Sequence, residues 1–225
     1  MAKYSISLRA DEFRRALSSA LLICSLDPSE VLSRVCLHME DDGKSITVNG
    51  MNQHCFYQER LDLLEEKDVF YRLPEPKFGA SRGQLLLPRD AVQELIKLLP
   101  KNSRSYVSLE VYQEDSEEEE TRKQRVEVSI TGGVHQNFCT IALPYPDYSL
   151  CLSTALANRN SDPPQVSNRR VFDSSTLLRV VKALRGEVCQ FYFGRSFNEP
   201  CLATVGDNVR IVFMSCYDSA DDMFE

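Results

Sequence analysis

The sequence predicts an α+β fold in which antiparallel sheets carry their helices on one face. Three observations predict it. The chain reads as one unit repeated three times, each a short strand, an amphipathic helix and a run of strand-like segments. Turn residues join the strand-like segments, as in Asp41-Asp42-Gly43-Lys44, a hairpin signal. Each unit also holds one segment with apolar residues at helical spacing. Apolar residues make up 43% of the 225, enough to build a core.

In the first unit, Tyr4-Ser-Ile-Ser-Leu8 alternates as a strand does. Ala10–Cys24 reads as a helix with Phe13, Leu17 and Leu21 on one face. Strands are predicted over Val31–Met39, Ser45–Val48 and Cys55–Leu63. The second unit opens with Gln84-Leu-Leu-Leu87. Pro88 then stands where a helix begins, since its missing N–H is no loss in a first turn. Val92, Leu95, Ile96 and Leu99 form that helix's apolar face, and Pro100 ends it. Strands follow at Tyr106–Tyr112, Arg125–Ile130 and Asn137–Leu143. The third unit opens with Arg170-Val-Phe172. Asp173 or Ser174 caps its helix, Leu177, Val181 and Leu184 are its apolar stripe, and Gly186 closes it. Its strands are Val188–Phe193, Cys201–Val205 and Val209–Cys216. The Asn-, Ser- and Pro-rich stretch Ala157–Asn168 reads as a linker. The domain division is therefore 1–152 as one complete pair of units (1–67 and 68–152), 153–169 as linker, 170–217 as a third unit and 218–225 as an acidic tail.

The chain carries 33 acids against 26 bases, a net charge of −7. The acid is unevenly placed. Glu114, Asp115 and Glu117–Glu120 form one run, and Asp218, Asp221, Asp222 and Glu225 sit in the tail. Without these ten, 23 acids face 26 bases. The body is mildly basic, with two acidic appendages. The longest apolar runs, such as Ala20–Cys24, are far shorter than the roughly 18 residues of a membrane span. The eight Cys include no CxxC pair, and the N-terminus has no hydrophobic signal region, so a reduced, cytoplasmic protein is expected. The three His are scattered, and neither metal nor cofactor is expected.

Opposite its apolar stripe each helix is basic. The first carries Arg9, Arg14 and Arg15; the second Arg89, Lys97 and, just beyond its end, Lys101; the third Arg179, Lys182 and Arg185. Any one of these is an ordinary solvated face. Three at the same place in a repeat converge on one surface if the units are arranged alike. Such a surface holds DNA phosphates without reading base sequence.

The repeated unit resembles the half-domain of DNA sliding clamps, above all the bacterial DNA polymerase III beta subunit. Leu86-Leu-Pro-Arg-Asp-Ala-Val-Gln-Glu-Leu-Ile-Lys-Leu-Leu99 is similar to the opening of a helix in the family's middle domain. Tyr145-Pro-Asp-Tyr-Ser-Leu-Cys-Leu152 is similar to the segment that ends that domain. Phe172–Leu184 and Val209–Tyr217 resemble the family's last helix and last strand. The resemblance implies clamp half-domains and a non-enzymatic processivity factor in DNA replication. Its implied partners are duplex DNA, a DNA polymerase and a clamp loader, with homo-oligomer formation. A beta subunit has six half-domains and its ring twelve, whereas this chain has three. Four copies, a dimer, a trimer with altered spacing, or no ring are all compatible with that count. The family's Asp-Gly-His-Arg turn reads Met51-Asn-Gln-His54 here, a departure in one wall of its partner-peptide pocket.

By position in that resemblance, the pocket would be walled by Asn52, His54, Phe56, Pro146, Leu150, Met214 and Cys216. The tail Asp222-Met223-Phe224 is similar to the peptide such pockets bind, which implies docking into its own pocket, a neighbour's or a host replicative clamp's. A second reading is a clamp-mimicking adaptor or inhibitor that binds host replication proteins without encircling DNA. No nucleophile elbow, P-loop or zinc-protease motif occurs, so no catalytic residue is assigned. An enzyme would need acid/base residues assembled from distant parts of the chain.

Overall fold

The computed structural model describes residues 4–40, 43–64, 84–101, 104–113, 123–131, 133–141, 143–159, 171–194 and 199–216. The first unit is β1 (Tyr4–Arg9), α1 (Ala10–Ile23), β2 (Val35–Met39), β3 (Ser45–Met51) and β4 (Cys55–Asp62), with a 3-10 turn at Val31–Ser33 where the sequence suggested strand. The second is β5 (Gln84–Leu87), α2 (Arg89–Leu98), β6 (Tyr106–Gln113), β7 (Lys123–Ile130) and β8 (Val134–Ile141). A helix α3 (Ser149–Arg159) follows. The third unit is α4 (Ser174–Ala183), β9 (Gln190–Tyr192), β10 (Cys201–Val205) and β11 (Val209–Phe213).

The first two units exchange their opening strands. β1 pairs with β6 from Tyr4↔Val111 to Arg9↔Tyr106, and β5 pairs with β2 from Val35↔Leu87 to His38↔Gln84. The third unit joins through β11, which runs antiparallel to β4 from Val209↔Glu59 to Phe213↔Cys55. The result is a four-stranded sheet β1-β6-β7-β8 and a seven-stranded sheet β5-β2-β3-β4-β11-β10-β9. Alternation sets the faces. In β4, Cys55, Tyr57 and Leu61 point to the main core, while Phe56 joins a separate cluster on the opposite side. The helices α1, α2 and α4 cover the core side.

Local chemistry explains the helix ends. Pro88, at φ −57 and ψ 145, caps α2 and is not its first helical residue. The Asp173 carboxylate accepts the Thr176 N–H at 2.7 Å and starts α4. Arg185 at φ 61 and Gly186 at φ 70 end it, two successive left-handed residues.

Three sequence expectations are corrected. Leu177 and Val181 do not belong to the buried face of α4; Val180, Ala183 and Leu184 do. The expected strand at 170–172 is reduced, among the described residues, to a single bridge between Val171 and Cys216. The expected linker from 153 begins inside a helix: the Asp147 carboxylate accepts the Ser149 N–H at 2.9 Å, and α3 then runs to Arg159. The acidic run, the tail and 160–170 lie outside the described residues. No helix among the described residues is long and apolar enough to cross a membrane.

The buried thiols give a measurable consequence. Burial pushes Cys24 up to about 11 and Cys36 and Cys55 up to about 12. Their protonated forms are favoured in the fold, so their contribution is complete below the ordinary thiol range and is lost as pH rises through it. Stability should therefore fall between about pH 9 and 11, by about 1.4 kcal/mol per pH unit for each thiol. Urea unfolding across that range checks it. At neutral pH a thiol reagent should label exposed Cys139 and Cys151 ahead of buried Cys24, Cys36, Cys55 and Cys201.

Candidate nucleic-acid interface

Three helices form one layer with α1 in the middle. Arg14 Nε donates to the Ile96 carbonyl of α2 at 2.9 Å, and Ser19 Oγ donates to the Ala183 carbonyl of α4 at 3.0 Å. An open groove of about 380 Å³ runs along this layer. Arg89 from α2 and Arg179 and Lys182 from α4 line it, together with Ser18 and Leu22 of α1 and Ser175 of α4. Cations from the second and third units thus meet beside the helix of the first. Exposed Lys97 pairs with Glu94 at 2.7 Å, and Lys101 is exposed past the end of α2. Arg9 is exposed at the cap of α1.

The other predicted cations hold the protein together. Glu59 faces inward from β4 with its side chain 2% exposed. Its carboxylate receives Arg15 at 3.3 Å, Arg185 at 3.2 Å and the Tyr57 hydroxyl. Arg15 and Arg185 therefore bind α1 and the end of α4 to the sheet. Arg14 ties α1 to α2, and Arg89 donates to the Ser25 carbonyl at 3.2 Å while still lining the groove. Of the nine cations, Arg179 and Lys182 are the groove residues for which no hydrogen bond or ion pair occurs among the described residues.

Sequence reasoning missed Glu59. The signal was available: Cys55, Tyr57, Glu59 and Leu61 alternate toward one face, and an acid in such a row needs cationic partners.

The pocket residues divide. Asn52, His54, Met214 and Cys216 line one cavity of about 530 Å³ with Asp173 and Arg179. Asn52 is also the brace of the β3–β4 turn. Its Oδ1 accepts the N–H groups of His54 and Cys55 at 2.8 and 2.9 Å, and its Nδ2 donates to the Ile23 carbonyl at 2.8 Å. Phe56, Pro146 and Leu150 do not join this cavity. Phe56 lies on the outer face of the sheet, stacked on Tyr148 with ring centroids 3.9 Å apart. There α3 covers it, packing Leu152, Ala155 and Leu156 with Leu202 and Val212. Pro146 and Leu150 are exposed, Leu150 at 76%. The tail residues Asp222, Met223 and Phe224 lie outside the described residues.

No protein-family model and no curated protein matches the sequence. Solved structures do match the fold. The DNA polymerase sliding clamp from Pseudomonas aeruginosa superposes with a TM-score of 0.65 at 15% identity, covering 97% of this chain and 67% of that one. The sliding clamp from Bacillus subtilis gives 0.65 at 14%, covering 95% and 64%. The DNA polymerase III subunit beta from Borrelia burgdorferi gives 0.65 at 13%, covering 97% and 64%. The chain has the sliding-clamp fold, and it spans about two thirds of the length of these clamps.

Proposed function

We propose that this protein is a clamp-like processivity factor that holds duplex DNA against its helix layer and tethers a DNA polymerase or related enzyme there, without chemistry of its own. One observation carries the reading: Arg89, Arg179 and Lys182 converge on one groove in the helix layer of a sliding-clamp fold. Closely placed cations displace counterions from phosphates, which gives affinity without sequence preference. On this reading further copies of the three half-domains complete the enclosure of the duplex, and a clamp loader places them.

The substitutions Arg179→Glu and Lys182→Glu together should weaken association with a labelled duplex by about tenfold or more and make its salt dependence shallower by about two. Fluorescence anisotropy reads both quantities. Both side chains sit away from the core, so folding should be kept, as circular dichroism would show. Unchanged affinity in a folded variant would remove the groove from the reading.

The adaptor reading has two observations in its favour. Helix α3 covers the outer sheet face around Phe56, and part of the predicted cationic surface is engaged with Glu59. A protein that binds polymerase or a host clamp but not duplex DNA would fit it.

A further inference from the structure

The first two units complete one another, and the third has no complement within the described residues. Helix positions show this when counted from the N-cap. Four and eight residues past the cap stand Phe13 and Leu17 in α1, Val92 and Ile96 in α2, and Leu177 and Val181 in α4. Phe13, Leu17 and Val92 are buried, and Ile96 packs partly buried against the core. Arg14 reaches the Ile96 carbonyl here, so this flank is where α1 and α2 meet. On α4 the same positions are open, Leu177 at 36% and Val181 at 48% exposure. The opposite flank of α4, with Arg179 and Lys182, faces the groove beside α1.

The sheet repeats the pattern. The second strand of each complete unit, β2 or β6, is covered by the other unit's opening strand. β9 holds the same place in the third unit and pairs, among the described residues, with β10 alone. Phe191 within it and Phe193 just past it are 36% and 41% exposed. The entry to the third unit is nevertheless placed as in the first. The Cys216 N–H donates to the Val171 carbonyl at 2.8 Å, as the Leu64 N–H donates to that of Ser7 at 2.9 Å.

We infer that the open flank of α4 and the edge of β9 bind the same surface of a second copy about a two-fold axis. The first two units supply the template. They set α1 against α2, with Arg14 on the Ile96 carbonyl, and lend each other equivalent strands, which is the plan of a self-complementary interface. The third unit carries the parts of that plan: an apolar flank, a second strand paired on one side alone among the described residues, and an entry bridge at Val171. Another third unit has the matching parts in the matching places. Isolated, this edge would be an aggregation hazard, because a strand edge without a partner among the described residues sits beside exposed apolar side chains. The inference deepens the assembly required by the proposed function, yet it rests on repeat geometry and not on DNA binding.

Light scattering and sedimentation of the full chain test it. The wild type should have twice the 25.6 kDa chain mass, or an even multiple of it, and the Leu177→Glu, Val181→Glu variant should have a smaller mass. A monomeric wild type, an odd multiple or an unchanged mass in the folded variant would overturn it. Should that variant fail to fold, Val181→Cys in a Cys139→Ser, Cys151→Ser background decides. A flexible bismaleimide should link two chains at position 181 well beyond the level of the parent background, since an interface residue and its symmetry mate lie across one axis from each other. No link at 181 would overturn the inference. Altered mass alone bears on this interface, whereas altered duplex affinity at unchanged mass bears on the proposed function.

Discussion

Replacing Glu59 with Ala should lower the unfolding free energy by about 3–5 kcal/mol. Attraction within a buried ion pair roughly offsets desolvation, but removing one partner leaves the other buried without compensation. Here two cations and a hydroxyl depend on one carboxylate. Arg185 suffers most: its side chain is 18% exposed, and its Nε and Nη1 are buried without another partner among the described residues. Its backbone also sits at φ 61, a conformation that costs a non-glycine residue about 1–2 kcal/mol and is held by the contact to Glu59. Tyr57, whose hydroxyl burial holds well above its usual range, loses its acceptor as well. Glu59→Gln keeps an acceptor for Tyr57 and should lose less. Urea unfolding of both variants checks the order. A loss below about 1 kcal/mol for Glu59→Ala would mean that the network does not hold α1 and α4 to the sheet.

The second large effect is expected at Gly50 in β3. Helix α1 lies directly on this residue. A Cβ added there would stand 2.9 Å from the Ala20 Cα and closer still to the Ala20 carbonyl oxygen. Main-chain atoms of a hydrogen-bonded helical turn cannot rotate away, and the Ala20 carbonyl accepts the Cys24 N–H at 3.0 Å. Gly50→Ala should therefore destabilise by about 1–3 kcal/mol, and Gly50→Val by more. Ala20→Gly should not rescue either variant, because the obstruction is backbone and not the Ala20 methyl. Rescue would show that the contact is a side-chain one that the core absorbs. Since α1 separates α2 from α4, a shifted α1 should also weaken duplex association.

Much of this fold is legible in the sequence because its periods are strong. Phe13 and Leu17 in α1, and Val92, Leu95 and Leu99 in and just beyond α2, fall on the buried side as their spacing requires. Alternation likewise places β4 and β10. The parts that were not legible have physical reasons. α3 combines an Asp147 side-chain turn ahead of its start with only a short apolar row, Leu152, Ala155 and Leu156, inside a stretch otherwise rich in turn formers. The stripe Leu177 and Val181 was legible as apolar, but among the described residues it stays exposed on α4, so its spacing did not mark the buried face. The candidate site was half legible. Repetition located the basic helix layer, whereas the division between groove cations and structural cations depends on Glu59, more than forty residues from Arg15 and over a hundred from Arg185. The pocket expected from the resemblance was split because α3 occupies the sheet face around Phe56.

The net charge of −7 does not oppose DNA on this account, because cations gather at the groove between α1, α2 and α4. The most direct test is a salt titration of association with two duplexes of equal length and unrelated sequence. The account predicts equal affinities that fall together and linearly on a double-logarithmic plot as salt rises. No association at low salt, or a strong preference for one sequence, would contradict it.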